Sequence, residues 1–511
     1  MRTSINQKDE KEKMDQMKNM GRIYRMAAEI MIWLGPDPQG HGLQAMKYIK
    51  EIVSLLCEDN DEPISPSELW RKKDMNEVIR GAKKGILLPQ PAWKSLHWFF
   101  SLRWFSRVWM IQEANAGTKV TARCGPNEID WHEIVLVAEL FVKSPTTADP
   151  LKKLDGTYVW HAAAMRWVEF RHADSLLQTL DLARNFDATE GRDHIYALFG
   201  LPVFEIHRDP QDVDSMPLNL RDDANISDDD VYTDLAEKWI SKSGNLNILA
   251  SVQNNGSIKA PSWVPRWDQK QQANVMFMSR WSTWNAYSDM PMKWSLNEKI
   301  LTARGIMLDL VSETASVEKF EALFPFRRPD GSDSASDYDF RRHFWKKQTS
   351  GISTDQHEIW LKTYSMVFSW GINGDWTDIK PSEQAASFQE YLQEYHHESH
   401  RAQLPFCKEL CKEMRENGIN EFMGAARTAS WGRILFRTTS GYVGMGPKCM
   451  LENDMVCIIY GCKMPMILRR KKGGDSLIGE TYVYEMMNGQ AIEKMRSEQL
   501  GGIVEEDFEL H

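Results

Sequence analysis

The stretch SINQKDEKEKMDQMKNMGRIYRMAAEIMIWLGP, residues 4–36, predicts a helix that leads into a buried strand. Apolar residues recur at spacings of three and four from about Glu10 to Ala28, which indicates one apolar stripe on a helix. The continuous apolar run Ile30–Leu34 then stops at Gly35-Pro36, a pattern typical of a strand buried on both faces of a parallel sheet. Helix followed by buried strand is half of a βαβ unit.

A βαβ unit also needs a strand before its helix, because the crossover helix covers a sheet that the first strand has begun. Residues 1–7 are too few and too polar to form that strand. We therefore expect either that the strand comes from elsewhere or that the chain lacks its start. An unpaired sheet edge and an uncovered apolar face lead us to expect poor expression or aggregation.

Composition narrows the functional class. The 511 residues include 42% hydrophobic and 26% charged residues, ordinary values for a globular chain long enough for two or three domains. A net charge of -10 argues against a nucleic-acid partner. There is no apolar run near the ~20 residues of a membrane span and no signal peptide. Seven scattered cysteines suit reduced thiols, so we expect a cytoplasmic protein.

The pattern of apolar residues and turns divides the chain into five segments. Residues 1–140 form the opening α/β domain, and 141–260 continue it with helices and an acidic linker at 207–230. Residues 261–430 are mixed and hard to interpret, 431–495 form a small β region of short strands with glycine turns, and 496–511 form an acidic tail. Within these segments, helices are predicted over 43–57, 70–81, 92–100, 130–142, 173–184 and 232–243, and strands over 119–125 and 299–311.

Common catalytic motifs are missing from the sequence. There is no phosphate loop, no G-x-S-x-G and no H-E-x-x-H. His396 and His400 precede Cys407 and Cys411 at spacings that zinc accepts on helices, but they match no common zinc motif, so we predict no metal site. The run Arg469–Lys472 fits a basic patch or a charged hairpin tip, and we favour the hairpin because two glycines follow.

The segment RWFSRVWMIQE, residues 103–113, places polar groups among core-type aromatic residues. A carboxylate with aromatic neighbours such as Glu113 has either a raised pKa or an arginine partner such as Arg107, and both arrangements suit acid/base or electrostatic work. The same residues could equally form a structural Arg–Glu pair. The sequence leaves the catalytic and the structural interpretations open.

These segments resemble the fungal heterokaryon incompatibility (HET) domain. Residues 5–35 are similar to its second signature, W-I-D-A-x-C-I-N-Q followed by an acidic stretch, I-Y-x-x-A and W-L-G. The matching positions are Ile5, Asn6, Gln7, Met20, Ile23, Tyr24, Ala27, Trp33, Leu34 and Gly35. The third signature is matched by Trp104, Phe105, Arg107, Trp109, Gln112 and Glu113.

Later blocks resemble those that follow a HET domain in many fungal proteins. They are ATEGRDHIYALFGL at 188–201, PSWVPRWD at 261–268, LTARGIMLDLV at 301–311 and the glycine-rich strands from 441 onward. The family's L-S-Y-x-W-G signature and W-I-D-A-x-C strand have no counterpart here. We therefore expect a HET protein without its first strands, through a misplaced start codon or a real deletion.

The resemblance implies a fold and a role. The expected fold is α/β, with a mainly parallel sheet and flanking helices, distantly TIR-like, followed by a mostly helical middle and a small C-terminal β region. The implied role is fungal nonself recognition, in which fusion of incompatible cells leads to programmed death.

Two activities are compatible with that role. In the first, a TIR-like domain cleaves NAD as a substrate, with Glu113 stabilising the oxocarbenium charge, Trp109 near it and Arg107 as orienter or phosphate contact; no cofactor is expected. In the second, the domain is a non-enzymatic module that signals by oligomerising, with another incompatibility protein or a second copy as its partner. The third possibility is an inactive truncated relative.

Overall fold

The computed structural model describes residues 9–58, 65, 68–69, 88–115, 119–143, 153–170, 176–205, 226–253, 260–276, 284–315, 353–372, 378–395, 418–497 and 503–511. It divides into two compact units. Unit 1 comprises Met1–Leu235 and Trp267–Lys270, and unit 2 comprises Ala236–Arg266 and Gln271–His511.

The helices in chain order are α1 (Glu10–Met26), α2 (His41–Glu58), α3 (Gln90–Phe100), α4 (Met110–Asn115), α5 (Trp131–Lys143), α6 (Val159–Phe170), α7 (Leu176–Ala183), α8 (Asp193–Tyr196), α9 (Pro202–Glu205), α10 (Asp228–Ser243), α11 (Thr354–Ser369), α12 (Pro381–Tyr395), α13 (Gly418–Ser430) and α14 (Gln490–Arg496). The strands are β1 (Ile30–Gly35), β2 (Val120–Cys124), β3 (Asn127–Asp130), β4 (Trp294–Asn297), β5 (Ile300–Thr314), β6 (Arg433–Thr438), β7 (Val443–Pro447), β8 (Met455–Ile459), β9 (Met466–Lys471), β10 (Gly474–Glu480), β11 (Tyr482–Val483) and β12 (Glu505–Leu510). Short 3₁₀ turns occur at Arg103–Ser106 and Asn247–Ser251.

The predicted helices and strands are confirmed wherever the structure describes them. α1, α2, α3, α5, α7 and α10 lie on the predicted helices, and β1, β2 and β5 on the predicted strands. The predicted helix at 70–81 and nearly all of the acidic linker lie outside the described residues. None of the helices in the described ranges is both long and apolar enough to cross a membrane.

Unit 1 contains a three-stranded sheet in the order β1-β2-β3. β1 pairs with β2 in parallel, and β2 pairs with β3 in antiparallel. One parallel pairing supports mixed α/β architecture, while the mainly parallel, TIR-like sheet expected from the resemblance stays a prediction. Helix α5 packs on β2 and β3, and α2 packs on α5.

The prediction that β1 is buried on both faces is wrong. Ile30, Ile32 and Leu34 are buried, but Met31 is 50% exposed and Trp33 is 54% exposed. Among the described residues, nothing buries the side chains of Met31 and Trp33, so this continuous apolar strand is buried on one face and half-exposed on the other. Because parallel sheets normally have both faces covered, this is an unusual arrangement.

Unit 2 is built on a nine-stranded, mostly antiparallel sheet. Strand pairings run β11-β7-β6-β5-β12-β10-β9-β8, β4 also pairs with β5, and β8 pairs back to β5. The strands β5, β12, β10, β9 and β8 therefore form a closed ring. Its core includes Ile306, Val456, Ile458, Ile467 and Ile478.

The boundaries of the C-terminal segments differ from the predicted ones. The division at 430 and 495 separates strands that the structure joins, because β5 pairs with β8 and β12. The predicted acidic tail contributes β12 to the sheet. Its alternation places Phe508 and Leu510 inside, while Glu505, Asp507 and Glu509 remain in contact with solvent. The mostly helical middle is represented by α11, α12 and α13, which pack on one another.

The run Arg469–Lys472 forms a hairpin end, as favoured from the sequence. β9 and β10 pair in antiparallel from Lys471 opposite Gly474. Arg469 binds Asp454 at 2.7 Å, and Arg470 binds Asp475 at 2.9 Å. The two arginines of the run are thus held by carboxylates of unit 2.

Candidate functional site

The segment 103–113 folds as a 3₁₀ turn followed by α4, and most of its apolar residues lie in the core of unit 1. Trp104, Phe105, Val108 and Ile111 are all buried. The Trp104 ring packs edge-on against Trp131, with ring centroids 5.3 Å apart. The structure therefore confirms that these apolar residues belong to the core.

Glu113 is a half-buried carboxylate on α4 with two aromatic neighbours. Its Oε2 accepts a hydrogen bond from Trp104 Nε1 at 3.2 Å. Burial raises the pKa of Glu113, while Arg107 and hydrogen bonding from Trp104 and Tyr24 oppose that rise. Burial also raises the pKa of Tyr24, so its phenol remains protonated and can donate to the carboxylate.

The two other predicted site residues lie on the same turn but differ in their surroundings. Arg107 is exposed, and its charge favours the ionised form of Glu113. Trp109 is half-buried, and its Nε1 donates to Asp193 Oδ2 at 3.2 Å. The indole N–H of Trp109 therefore bonds a residue at the start of α8. Only the face of the Trp109 ring is left to contact a ligand.

Gln112 joins three distant parts of unit 1. Its side chain is fully buried, and its amide oxygen accepts hydrogen bonds from the backbone N–H groups of Gly21 and Gly200, each at 3.0 Å. A Cβ added to Gly21 would lie 2.2 Å from the Gly200 Cα, so the two backbones approach too closely for any side chain. Arg25 Nη1 adds a bond to the Gly200 carbonyl at 2.8 Å.

The arrangement brings Glu113 together with Tyr24, Trp104 and Arg107. A carboxylate with a raised pKa can exchange a proton closer to neutral pH than an ordinary glutamate. When ionised, it can stabilise a positive charge on a bound molecule. The same contacts would also suit a structural carboxylate that fixes α1 to α4.

The raised pKa of Glu113 predicts a specific dependence of stability on pH. Because the folded state favours the protonated form, this stabilisation is fully present below the unfolded pKa of about 4.3 and is lost as pH rises through the folded pKa. We expect the unfolding free energy of Glu113→Gln, relative to the unsubstituted chain, to increase across that interval and then level off. Urea unfolding from pH 4 to 8 measures it; a constant difference would contradict the raised pKa.

Among the described residues, the other chemistry-bearing groups form no metal site. Within the described ranges, no group of three or more His, Cys, Asp or Glu side chains could hold a metal ion. The residues of the metal-like pattern, His396, His400, Cys407 and Cys411, lie outside those ranges. Burial and the nearby Asp37 raise the pKa of Cys124 to about 11, which suits an inert thiol.

Sequence reasoning missed the partners that hold Glu113 in place. Tyr24 lies 89 positions earlier, and no local spacing links it to α4. The contact of Gln112 with Gly21 and Gly200 is equally non-local. A signal did exist for Gly21, since a glycine in the middle of a predicted helix often marks a close backbone approach.

Comparisons with known proteins match both ends of the chain. Residues 2–113 match the model described as Heterokaryon incompatibility protein (HET), and residues 368–500 match the Het-6 beta-barrel domain. The chain is also similar to Heterokaryon incompatibility protein 6, OR allele, of Neurospora crassa, with 22% identity over 95% of this chain and 80% of the relative. No solved structure gives a significant match.

The matched regions coincide with the structural features described above. The HET match ends at Glu113 and contains α1, β1 and the 103–113 segment, and the second match contains most strands of the unit 2 sheet. Both domains occur in the order expected from the sequence motifs, and the similarity to the Neurospora protein extends through the region between them. The chain is therefore similar to heterokaryon incompatibility proteins in its HET region, in its Het-6 beta-barrel region and in the region between them.

Proposed function

We propose that this protein acts in fungal nonself recognition and triggers programmed cell death when it meets an incompatible partner. The observation that carries the proposal is the similarity to a heterokaryon incompatibility protein along 95% of the chain. The presence of matches to both the HET and the Het-6 models supports it further. Unit 1 would carry the death signal, and the partner would be another incompatibility protein or a second copy.

Hyphal fusion tests this role. Strains that carry the gene are fused with strains that lack it or carry a divergent version, and dead fusion cells are counted with a membrane-impermeant dye. We expect death above the background of self-fusion in at least one pairing. Equal viability in all pairings, with the protein detected in the cells, would contradict the role.

We propose cleavage of the nicotinamide–ribose bond of NAD as the chemistry of unit 1. Glu113 in its ionised form would stabilise the oxocarbenium-like charge on the ribose, and water would then take the place of nicotinamide. Arg107 supports this assignment because its charge favours the ionised carboxylate. Trp109 would offer its ring to the base, and Tyr24 and Trp104 would orient Glu113.

Glu113→Gln tests the chemistry with little risk to folding. The amide oxygen can still accept the hydrogen bond from Trp104, but the negative charge is gone. We expect NAD consumption to fall by about 10²-fold or more, in line with the loss of one electrostatic group in a transition state. Glu128→Gln, at an exposed glutamate of β3, is the matched control and should retain activity.

Full NAD consumption by Glu113→Gln would exclude the assigned role of Glu113. Absence of consumption by the unsubstituted protein, at enzyme concentrations sufficient for slow turnover, would exclude the enzymatic proposal as a whole.

The second candidate function is a non-enzymatic signalling module that works by assembly. The observation that favours it is the exposed apolar pair Met31 and Trp33 on β1, next to a strand edge with no partner in the described residues. Assembly modules commonly use apolar patches and open edges of this kind. NAD consumption distinguishes the two candidates, since the assembly module predicts none.

A further inference from the structure

Asp193 connects the candidate site to a part of unit 1 that lies outside the HET match. Its Oδ2 accepts a hydrogen bond from Trp109 Nε1 at 3.2 Å, between residues 84 positions apart in the sequence. The HET match ends at Glu113, well before Asp193. The proposed chemistry uses the ring of Trp109 and assigns no role to Asp193.

Trp109 and Glu113 are neighbours on one turn of helix. The N–H of Glu113 donates to the carbonyl of Trp109 at 3.3 Å, which is a helical bond between residues four positions apart. Side chains at this spacing project from the same side of a helix, with Cβ atoms about 5–6 Å apart. The orientation of the Trp109 ring therefore shapes the space beside the Glu113 carboxylate.

The hydrogen bond to Asp193 fixes that orientation. An indole ring has a single N–H and no acceptor, so one hydrogen bond uses its whole polar capacity. The N–H lies at the far end of a side chain with two torsion angles, so a bond there selects among their staggered combinations. A carboxylate is a stronger acceptor than a neutral oxygen. Asp193 thus holds the Trp109 ring in one orientation relative to Glu113.

The backbone just before Asp193 is itself anchored, by α10. The N–H groups of Gly191 and Arg192 donate to the two carboxylate oxygens of Asp228 at 3.1 and 3.2 Å. The Tyr232 hydroxyl donates to the Gly191 carbonyl at 2.6 Å. A Cβ added to Gly191 would lie 2.5 Å from Asp228 Oδ2, so the two segments approach closely. Asp193 is therefore an acceptor with a fixed position.

The other end of the same segment is also attached to the site. Gln112 of α4 accepts a hydrogen bond from the N–H of Gly200 at 3.0 Å. Arg25 of α1 donates to the Gly200 carbonyl at 2.8 Å. Residues 191–200 thus bond the segment 103–113 at two points, through Asp193 and through Gly200.

We propose that Asp193 is a positioning residue of the candidate site, which holds the Trp109 ring in the orientation that stacks on the nicotinamide base of NAD. This inference deepens the proposed chemistry and rests on it for the identity of the ligand. Asp193 acts through Trp109 and not on the bond that breaks. Its loss should therefore weaken the binding of NAD more than it slows the cleavage step.

Steady-state kinetics of the full chain test this role with two substitutions of Asp193. In Asp193→Ala the acceptor is gone, and we expect the KM for NAD to rise about tenfold with kcat little changed, as for the loss of one hydrogen bond that serves binding. Asp193→Asn keeps an oxygen that can accept from Trp109, so it should restore most of the affinity. A bond that serves only stability would lower the active fraction, and hence kcat, at constant KM.

A double-mutant cycle tests whether Asp193 acts through Trp109. Trp109→Phe keeps an aromatic ring but removes the N–H, so it should raise the KM as Asp193→Ala does. Because both single variants break the same hydrogen bond, the double variant should show no further increase. Increases that multiply in the double variant would show that Asp193 acts by another route and would overturn the proposal.

Asp155→Ala is the matched control. Asp155 is an exposed aspartate of the same unit, and its carboxylate bonds the N–H of the next residue, Gly156, at 3.0 Å. This variant should retain the KM and kcat of the unsubstituted chain. Circular dichroism and melting temperature verify the fold of every variant.

Isothermal titration with NAD separates failure of this inference from failure of the proposed chemistry. NAD consumption with an unchanged KM in Asp193→Ala would overturn the positioning role and leave the chemistry in place. NAD binding without consumption, weakened in Asp193→Ala and restored in Asp193→Asn, would support the positioning role and exclude the chemistry. Neither binding nor consumption of NAD by the unsubstituted protein would overturn both.

Discussion

Replacement of Gly21 by alanine is expected to destabilise unit 1 severely. The new Cβ would lie 2.2 Å from the Gly200 Cα and 3.1 Å from the side-chain amide of Gln112. The first contact is with backbone, so α1 and the segment after α8 would have to separate and the hydrogen bonds of Gln112 would be lost with them. We expect a loss at or above the upper end of the ~1–3 kcal/mol of ordinary overpacking. Thermal and urea unfolding measure it.

Gly424→Ala is the matched control for this variant. Gly424 also lies within a helix, α13, but a Cβ there meets nothing within 4 Å. Alanine is preferred to glycine inside helices by ~1 kcal/mol, so this variant should be neutral or stabilising. If both variants behave alike, the close approach of Gly21 and Gly200 does not exist in solution.

Glu480→Ala is expected to have a comparable effect on unit 2. Glu480 binds the guanidinium of Arg433 at 2.7 Å, and both side chains are almost completely buried. Burial lowers the pKa of Arg433 and the charge of Glu480 opposes that change, yet the guanidinium remains charged. Removal of the carboxylate leaves a buried charge without its counterion, which typically costs ~3–5 kcal/mol.

The remaining contacts of Arg433 do not replace the lost ion pair. Its guanidinium also bonds the carbonyl of Asn274 at 2.7 Å and lies over the Trp370 ring at 5.3 Å, but neither partner is charged. Asp289→Ala, in an exposed pair with Arg496 at 2.9 Å, is the control and should leave unfolding unchanged. Equal urea midpoints for the two variants would contradict the account of the buried pair.

The sequence predicts the helices and strands of this protein well where their patterns are local. The stripe of α1 and the apolar run of β1 are readable within a few residues of each other. The burial of each face of β1 cannot be predicted from such local patterns, because it depends on which helices cover the sheet. An apolar strand looks the same in sequence whether one or both of its faces are covered, and so the run Ile30–Leu34 predicts burial on both faces.

The limits of the unit 2 prediction have the same cause. The glycine turns between β6 and β10 identify a β region, but β5 and β12 join it from positions more than a hundred residues before and from the acidic C-terminal end. Strand pairing over such separations leaves no local pattern. Alternation in β12 was the one available signal, since Phe508 and Leu510 are separated by a charged residue.

The candidate site was predictable in part. A carboxylate among aromatic residues drew attention to Glu113, and the structure surrounds it with Trp104, Arg107 and Tyr24. Tyr24 matches the second HET signature, but its contact with Glu113 depends on the packing of α1 against α4. The catalytic roles of Glu113, Arg107 and Trp109 stay predictions until NAD consumption is measured.

Death of fungal cells on controlled expression of this chain is the most direct test of the nonself role. The unsubstituted protein, Gly21→Ala and Gly424→Ala are expressed from an inducible promoter in a filamentous fungus, and protein levels are matched by immunoblot. We predict growth arrest and dye uptake with the unsubstituted chain and with Gly424→Ala, and survival with Gly21→Ala. Undiminished growth of cells that contain the unsubstituted protein at those levels would contradict the account.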